Sequence, residues 1–438
     1  MPLVYGALLG DRHPGRVSEV ALYDVDVARL AAITQVLTQM GAGHDDPPGV
    51  YSTTDLDEAL GGADFVFSAM RVGGVAGRTI DERVALSVGV LGQETTGPGG
   101  LAYALRTVPE AIRIAERIRA CAPNAWTINF TNPAGIVTEA MASVLGDRVV
   151  GICDSPIALA RRAARACGVD PAVTPLEIDY VGLNHLGWLQ GLRTADGHDL
   201  LAPLVGDPTR LATIEEGRLF GAEWLSLLGA IPNEYLYYYY FTRDALSSIL
   251  AADQTRGEFI RQQQAAFYAE VERRPEQALA TWRRAREERD ATYMKEARRA
   301  EEQRDAADIE GGGYEGVALA IMAAISRGEA ATLILNVRSG GAVRCVPDDA
   351  VVEVPCFVDR DGPRPLAVSA PQGHMAGLIQ QVKEVERLTI EAGHERSPAL
   401  ALKAFALHPL VDSVTTARRL LDGYRHANPL VGELFEGR

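Results

Sequence analysis

Four short apolar runs punctuate the first part of the chain, at 19–24 (EVALYD), 63–70 (ADFVFSAM), 125–130 (AWTINF) and 149–153 (VVGIC). Each ends in polar or turn-forming residues, the pattern of a strand buried on both faces in a parallel sheet. Between them, apolar residues at helical spacing predict helices over 27–40, 109–120 and 136–144, and the chain opens on a further helical stretch at 2–9. Strand and helix in alternation predict an α/β unit built on a doubly wound parallel sheet over residues 1–168. Ligands of such sheets bind at the carboxyl ends of the strands, where the polar residues cluster here.

Beyond Gly168 the pattern changes, and residues 169–438 read as a second, α+β domain. An aromatic run spans 235–240, broken once by Leu236, and 255–304 is strongly helical with dense charge of both signs. That charge reads as a solvated helix or hairpin face. Strands follow at 333–337 and 351–355, then a helical stretch from 377 to 424.

Composition narrows the function. Of 438 residues, 47% are hydrophobic and 23% charged, which excludes disordered and fibrous classes. No run approaches the ~20 apolar residues of a membrane span, so no membrane partner is expected, and the N-terminus lacks the pattern of a secretory signal. The net charge of −15 argues against nucleic acid as a partner. Cys121, Cys153, Cys167, Cys345 and Cys356 form an odd set without CxxC spacing, which excludes zinc-ribbon and thioredoxin readings and predicts a reducing cytoplasm.

The strand ends carry the candidate chemistry. Asp24 could accept hydrogen bonds from a dinucleotide ribose or cap the next helix. Arg71 and Gly73-Gly74 offer a guanidinium fork and close backbone approach to an anion. The stretch 92–100 (GQETTGPGG) reads as a binding loop, since glycine is costly to order in a plain connector. Asn129 and Asn132 suit sugar hydroxyls or a nicotinamide amide, or else a capped turn. Cys153 and His185 can hold a divalent metal between two strand ends; the plainer alternative is an inert buried thiol and a hydrogen-bonded histidine. Five tyrosines among 235–240 suggest that some hydroxyls are used, most of them for packing. Arg256 could reach an anion or only solvent.

Taken in order, RVGG, GQETTGPGG, ALRTVP, INFTNPAGIVTEA, CDSP, GLNHLGW, the tyrosine run, VEVP and HPLV make the chain similar to glycoside hydrolase family 4, the NAD- and manganese-dependent glycosidases. The resemblance covers nearly the whole chain and implies a Rossmann-like fold of the lactate/malate dehydrogenase kind. It implies hydrolysis of 6-phosphoglucosides by oxidation at C3, elimination, water addition and re-reduction, outside the usual two-carboxylate scheme. By motif match, Cys153 and His185 take the metal, Asp154 is the acid for the leaving oxygen, and Tyr235 (with Tyr238 as the alternative) is the base at C2. The same match places Asp24, Arg71 and Asn129 toward NAD, and Arg71, Asn132, Asn184 and Arg256 toward a phosphorylated disaccharide or aryl glucoside. A dimer or tetramer is implied as well.

Two features depart from the family pattern. Family members open with a strand and glycine-rich loop ahead of the helix at 2–9, so the resemblance implies either a start placed about a dozen residues late, the favoured reading, or a chain impaired by their loss. The acidic residue of CDSP resembles members acting on α-linked substrates and the tyrosine run is common to both groups, but members resembling the overall pattern are usually β-specific; the expectation is a 6-phospho-β-glucosidase, with the α-specific enzyme as alternative. Two rival classes are a net NAD-dependent dehydrogenase and a non-catalytic phospho-sugar sensor.

Overall fold

Strands form where the short apolar runs predict them, one or two residues shorter at their ends. The computed structural model describes residues 1–294 and 313–436. Helix α1 (Pro2–Gly10) precedes β1 (Glu19–Tyr23), and α2 (Val27–Gly41) leads to β2 (Gly49–Thr53). Asp26 caps α2 by accepting from the Ala28 and Arg29 amides. β1 and β2 pair in parallel as a sheet of their own. Next come α3 (Leu56–Leu60), β3 (Phe65–Ser68), α4 (Gly74–Ser87), α5 (Pro98–Cys121), β4 (Trp126–Asn129), α6 (Ala134–Leu145), β5 (Val149–Gly151) and α7 (Ser155–Ala166).

Helix α5 corrects an expectation: it begins at Pro98 rather than at 109, with Pro109 inside it. The last part of the 92–100 stretch is therefore the first helical turn. Its glycines permit contact as well as turning, since a Cβ on Gly99 or Gly100 would lie 2.3 Å from the Gln93 or Thr95 carbonyl oxygen.

The parallel strands β3-β4-β5 continue into an antiparallel extension, making one nine-stranded mixed sheet. β5 touches β9 (Ala331–Arg338) through one pair, Gly151↔Asn336. β9 pairs along its length with β10 (Val351–Asp359), which touches β6 (Leu176–Leu183) through Glu353↔Gly182. β6 turns back into β7 (Leu186–Thr194), β8 (Ile231–Pro232) closes that edge, and β11 (Gly362–Pro365) pairs with β10. Helices His374–Glu395, Pro398–Leu407 and Val414–Ala427 then return to pack on α5 and α4, sharing a core of Leu105, Val108, Val385, Phe405 and Leu420.

The charged stretch from 255 is a helical hairpin, Arg256–Arg273 and Ala278–Ala291, opened by a capping box of Thr255 and Glu258. It packs on α2 and α4. The part of that expectation from 295 to 304 lies outside the described residues. No helix among the described residues is long and apolar enough to cross a membrane.

Candidate active site

The tyrosine run folds as a tight turn, Glu234–Leu236, running into a single helical turn, Tyr237–Tyr240. Asn233 caps it through the Tyr235 amide, and the five phenols point to different tasks. Tyr237 stacks on Phe241 and Tyr239 on His408, while the Tyr240 hydroxyl accepts from Trp188 Nε1 at 2.9 Å. Tyr235 instead lies flat against the His185 imidazole, ring centres 3.7 Å apart and 13° from parallel.

His185 sits in the turn between β6 and β7 with φ of 63°, a left-handed conformation rarely adopted by a non-glycine residue. Neighbours hold it there: Tyr235 on its face, and Thr95 Oγ1 3.1 Å from Nδ1. Burial lowers its pKa to about 4, so the ring is neutral near pH 7. Cys153, two residues beyond β5, is buried, and burial together with the Glu353, Asp154 and Glu234 carboxylates pushes its thiol well above the usual range.

Asp154 follows directly at the start of α7 and receives the Tyr314 hydroxyl; its charge, ahead of burial, raises the Tyr314 phenol. The Tyr293 hydroxyl donates to the Tyr235 oxygen at 2.9 Å and approaches Glu234 Oε1 at 3.3 Å. Burial, then Glu234, raises the Tyr235 phenol well above its ordinary value. Ser155 Oγ donates to the same Glu234 oxygen at 2.5 Å. The structure therefore gathers Cys153, Asp154, His185 and Tyr235 into one buried neighbourhood.

Asn184, beside His185, is held by both ends of its amide. Nδ2 donates to Glu353 Oε1 at 3.2 Å, and Oδ1 accepts from the Ala134 amide at 3.2 Å. Burial raises Glu353 to about 7 even though Asn184, Asn336 and Tyr180 all donate to it.

Next to His185 lies a cationic group. Glu94 pairs with both Arg71 and Arg78; burial opposes its ionisation, but the two guanidinium groups outweigh burial and bring it to about 2. Arg71 also stacks over Tyr103 at 5.1 Å, and its Nη1 is buried with no hydrogen-bond partner among the described residues. Arg289 faces the same group; it is exposed, and loss of hydration among the surrounding atoms, then the charge of Arg78, lowers its pKa. Arg256 stands behind it, donating Nη2 to the Arg289 carbonyl at 2.9 Å and Nη1 to Thr292.

The other expected residues are placed apart. Asn129 is fully buried, and its amide donates to Thr131 O, Ala134 O and Thr138 Oγ1 while accepting from the Thr131 amide. That side chain holds the turn that presents half-buried Asn132. Asp24 lies at the carboxyl end of β1, half-buried, and accepts from the Asp26 amide at 2.9 Å. Asp26, not Asp24, is the helix cap. Arg78, Glu94, Arg289, Glu234, Tyr293, Tyr314 and Glu353 were not singled out from the sequence. Glu353 had a visible signal, one carboxylate inside an otherwise apolar strand.

Comparison with known proteins identifies the family. The family model "Family 4 glycosyl hydrolase" matches residues 7–169, and that of its C-terminal domain matches 180–411. A "Probable 6-phospho-beta-glucosidase" of Bacillus subtilis (strain 168) is 36% identical over 383 residues, 86% of this chain and 81% of the relative. The 6-phospho-β-glucosidase of Thermotoga maritima, solved with manganese, NAD+ and glucose-6-phosphate, superposes with a TM-score of 0.80 at 28% identity, covering 98% of this chain and 95% of that one. A 6-phospho-α-glucosidase from gut microorganisms, solved with NAD and Mn2+, gives 0.79 at 27% identity over 98% and 96% of the two chains. The chain belongs to glycosyl hydrolase family 4.

Proposed function

We propose, proceeding from this family membership, that the protein hydrolyses 6-phospho-β-glucosides with NAD and a divalent metal such as Mn2+. The observation that carries the reading is the position of Arg71, Arg78 and Arg289 near the Glu94 carboxylate, next to His185. Three guanidinium groups against Glu94 and Glu82, the latter also paired with Arg78, still leave net positive charge in a chain that is acidic elsewhere. The idle donor at Arg71 Nη1 suits a phosphate oxygen.

The residues present fit both cofactors. His185 uses Nδ1 toward Thr95 and is neutral, which leaves Nε2 as a metal donor, and Cys153 would supply sulfur from beyond the end of β5, with β9 and β10 lying between the two strands in the sheet. Cys153 and His185 would hold the metal, and its further positions would be open to sugar oxygens. Asp24, at the carboxyl end of β1, suits the adenosine ribose. When bound, NAD and the metal supply oxidation at C3 and polarisation of the 2- and 3-oxygens, which together acidify C2.

This chain's own residues do the rest. Tyr235 would take the C2 proton as the tyrosinate, a form that burial and Glu234 oppose and that a bound cation beside His185 would favour; its ring is fixed by the His185 stack and its oxygen by Tyr293. Asp154 passes a proton to the leaving C1 oxygen. Asn132 and Asn184 orient hydroxyls, and Arg71, Arg78 and Arg289 hold the 6-phosphate. Arg256 supports the helix end that carries Arg289. Asp154 also motivates a second reading, an α-specific enzyme, because an acid at that position gives a leaving group of either configuration a proton donor.

The test is release of p-nitrophenol from the α- and β-anomers of its 6-phosphoglucoside and from the unphosphorylated β-glucoside, with NAD and Mn2+ supplied. The expected result is turnover of the phosphorylated β-anomer without NADH accumulation, lost in Cys153→Ser and His185→Ala. Preference for the α-anomer would move the assignment to the second reading. Stoichiometric NADH would make the protein a dehydrogenase.

A further inference from the structure

The acidic residue of the VEVP motif is unused by the reaction above, yet it occupies a singular place in the sheet. Glu353 is 1% exposed and lies mid-strand in β10. A carboxylate there is costly unless donors meet it. Three do: Tyr180 donates to Oε2 at 3.1 Å, and Asn184 and Asn336 donate to Oε1 at 3.2 and 2.9 Å.

The backbone gives a second, independent observation. Among the described residues, the paired positions of β5 with β9 are Gly151↔Asn336, and those of β10 with β6 are Glu353↔Gly182, while Asn336 and Glu353 are themselves partners. Gly151, Asn336, Glu353 and Gly182 thus form one row across four strands. Its outer members stand just before Cys153 and His185 in the chain. Both are glycine for want of space: a Cβ on Gly151 would lie 2.9 Å from Asn336 Cβ, and one on Gly182 would lie 2.3 Å from Gly187 Cα.

We infer that Glu353, with Asn336, is a positioning residue that fixes the separation of Cys153 and His185 and thereby sets the affinity for the divalent metal. The inference rests on the proposed assignment of those two residues as metal ligands. Glu353 grips Asn184, and Asn184 is the residue before the left-handed His185. Releasing that grip lets the turn relax and moves the imidazole away from the thiol. A carboxylate that merely filled the sheet would change stability and leave metal affinity alone.

The experiment is titration of the protein with Mn2+ alone, free Mn2+ being read by electron paramagnetic resonance, for Glu353→Gln and Glu353→Leu beside the parent chain. Glutamine still offers a carbonyl to both asparagines, so its dissociation constant should stay near the parent value. Leucine removes both acceptors and should weaken binding about 10–100-fold, with circular dichroism showing a folded protein. Equal loss in both variants would assign the effect to charge and overturn the positioning role; unchanged affinity in Glu353→Leu would also overturn it. Should the leucine variant not fold, Asn336→Ala removes one of the two donors on Oε1, and an unchanged constant there refutes the inference. Failure of the underlying assignment is separate: Mn2+ would then bind Cys153→Ser and His185→Ala as tightly as the parent.

Discussion

His408 shows how much a single buried side chain fixes. It is 3% exposed, its Nδ1 accepts from the Leu410 amide at 3.1 Å, and it lines a cavity of about 30 Å³ with Tyr239, Glu386 and His185. Burial lowers its pKa from 6.5 to about 3. The unfolded chain therefore takes up the proton first, and between those two values falling pH favours unfolding; above 6.5 the contribution is constant. His408→Asn keeps an acceptor near the position of Nδ1 but cannot titrate. Urea unfolding should show the parent losing about 1 kcal/mol more than the variant over the first pH unit below 6.5, and nothing extra above it. A constant gap across both ranges would mean that His408 accepts its proton in the folded state.

The same scale shows what the sequence could and could not reveal. Cys153 and His185 stand out as candidates because each follows an apolar strand. Tyr235 was not separable from its neighbours by pattern, since five phenols in six positions look alike until one is found against an imidazole. Asn129 looked like a ligand-facing residue at a strand end, but its side chain is consumed by the turn it occupies.

Among elements, the helical hairpin carries the least legible part of the site. Its charges read as a solvated face, and Arg289 is indeed exposed, yet it stands near enough to Arg78, Glu94 and Arg71 to feel their charge. Nothing local separates it from the other arginines of RRAREERD; the information lies in where the hairpin docks. That docking is specific: Glu82, 1% exposed, accepts from the Gly257 amide at 2.8 Å and from Arg78 Nε at 2.9 Å, and Arg83 forks onto Glu258. A Cβ on Gly257 would lie 2.6 Å from the Glu82 carboxylate, which Arg78 keeps from moving. Gly257→Ala should cost about 1–3 kcal/mol in urea unfolding and raise KM for the phosphorylated substrate more than for the unphosphorylated one, because Arg78 and Arg289 shift together. Equal changes in both KM values would confine the effect to stability. The strands were readable by contrast because each run is bounded by its own turn residues, so local pattern and final pairing agree.

At the scale of the whole molecule, the change of pattern at Gly168 marks where strand and helix cease to alternate, while the packing runs across it. β5 has β9 as a neighbour, and α5 is enclosed by chain from the far end: Leu101, Leu105 and Val108 share a core with Val385, Leu388, Phe405, Leu420 and Tyr424. The Tyr424 hydroxyl donates to the Asp81 carbonyl at 2.9 Å, and Arg106 pairs with the Asp81 carboxylate at 2.6 Å with both side chains nearly inaccessible. Burial holds that acid up at about 6 in spite of its partner, so the pair depends on the surrounding packing to keep its geometry. A fragment of residues 1–168 keeps Arg106 and Asp81 but uncovers them along with the apolar face of α5. Each large side chain left without its partner forfeits roughly 1.5–3 kcal/mol, against a total stability of about 5–15 kcal/mol for a typical domain. Such a fragment should bind a hydrophobic dye and unfold without a cooperative transition, while the full chain unfolds cooperatively. A sharp transition in the isolated fragment would instead establish residues 1–168 as a self-sufficient folding unit, with the C-terminal helices docking on a preformed surface.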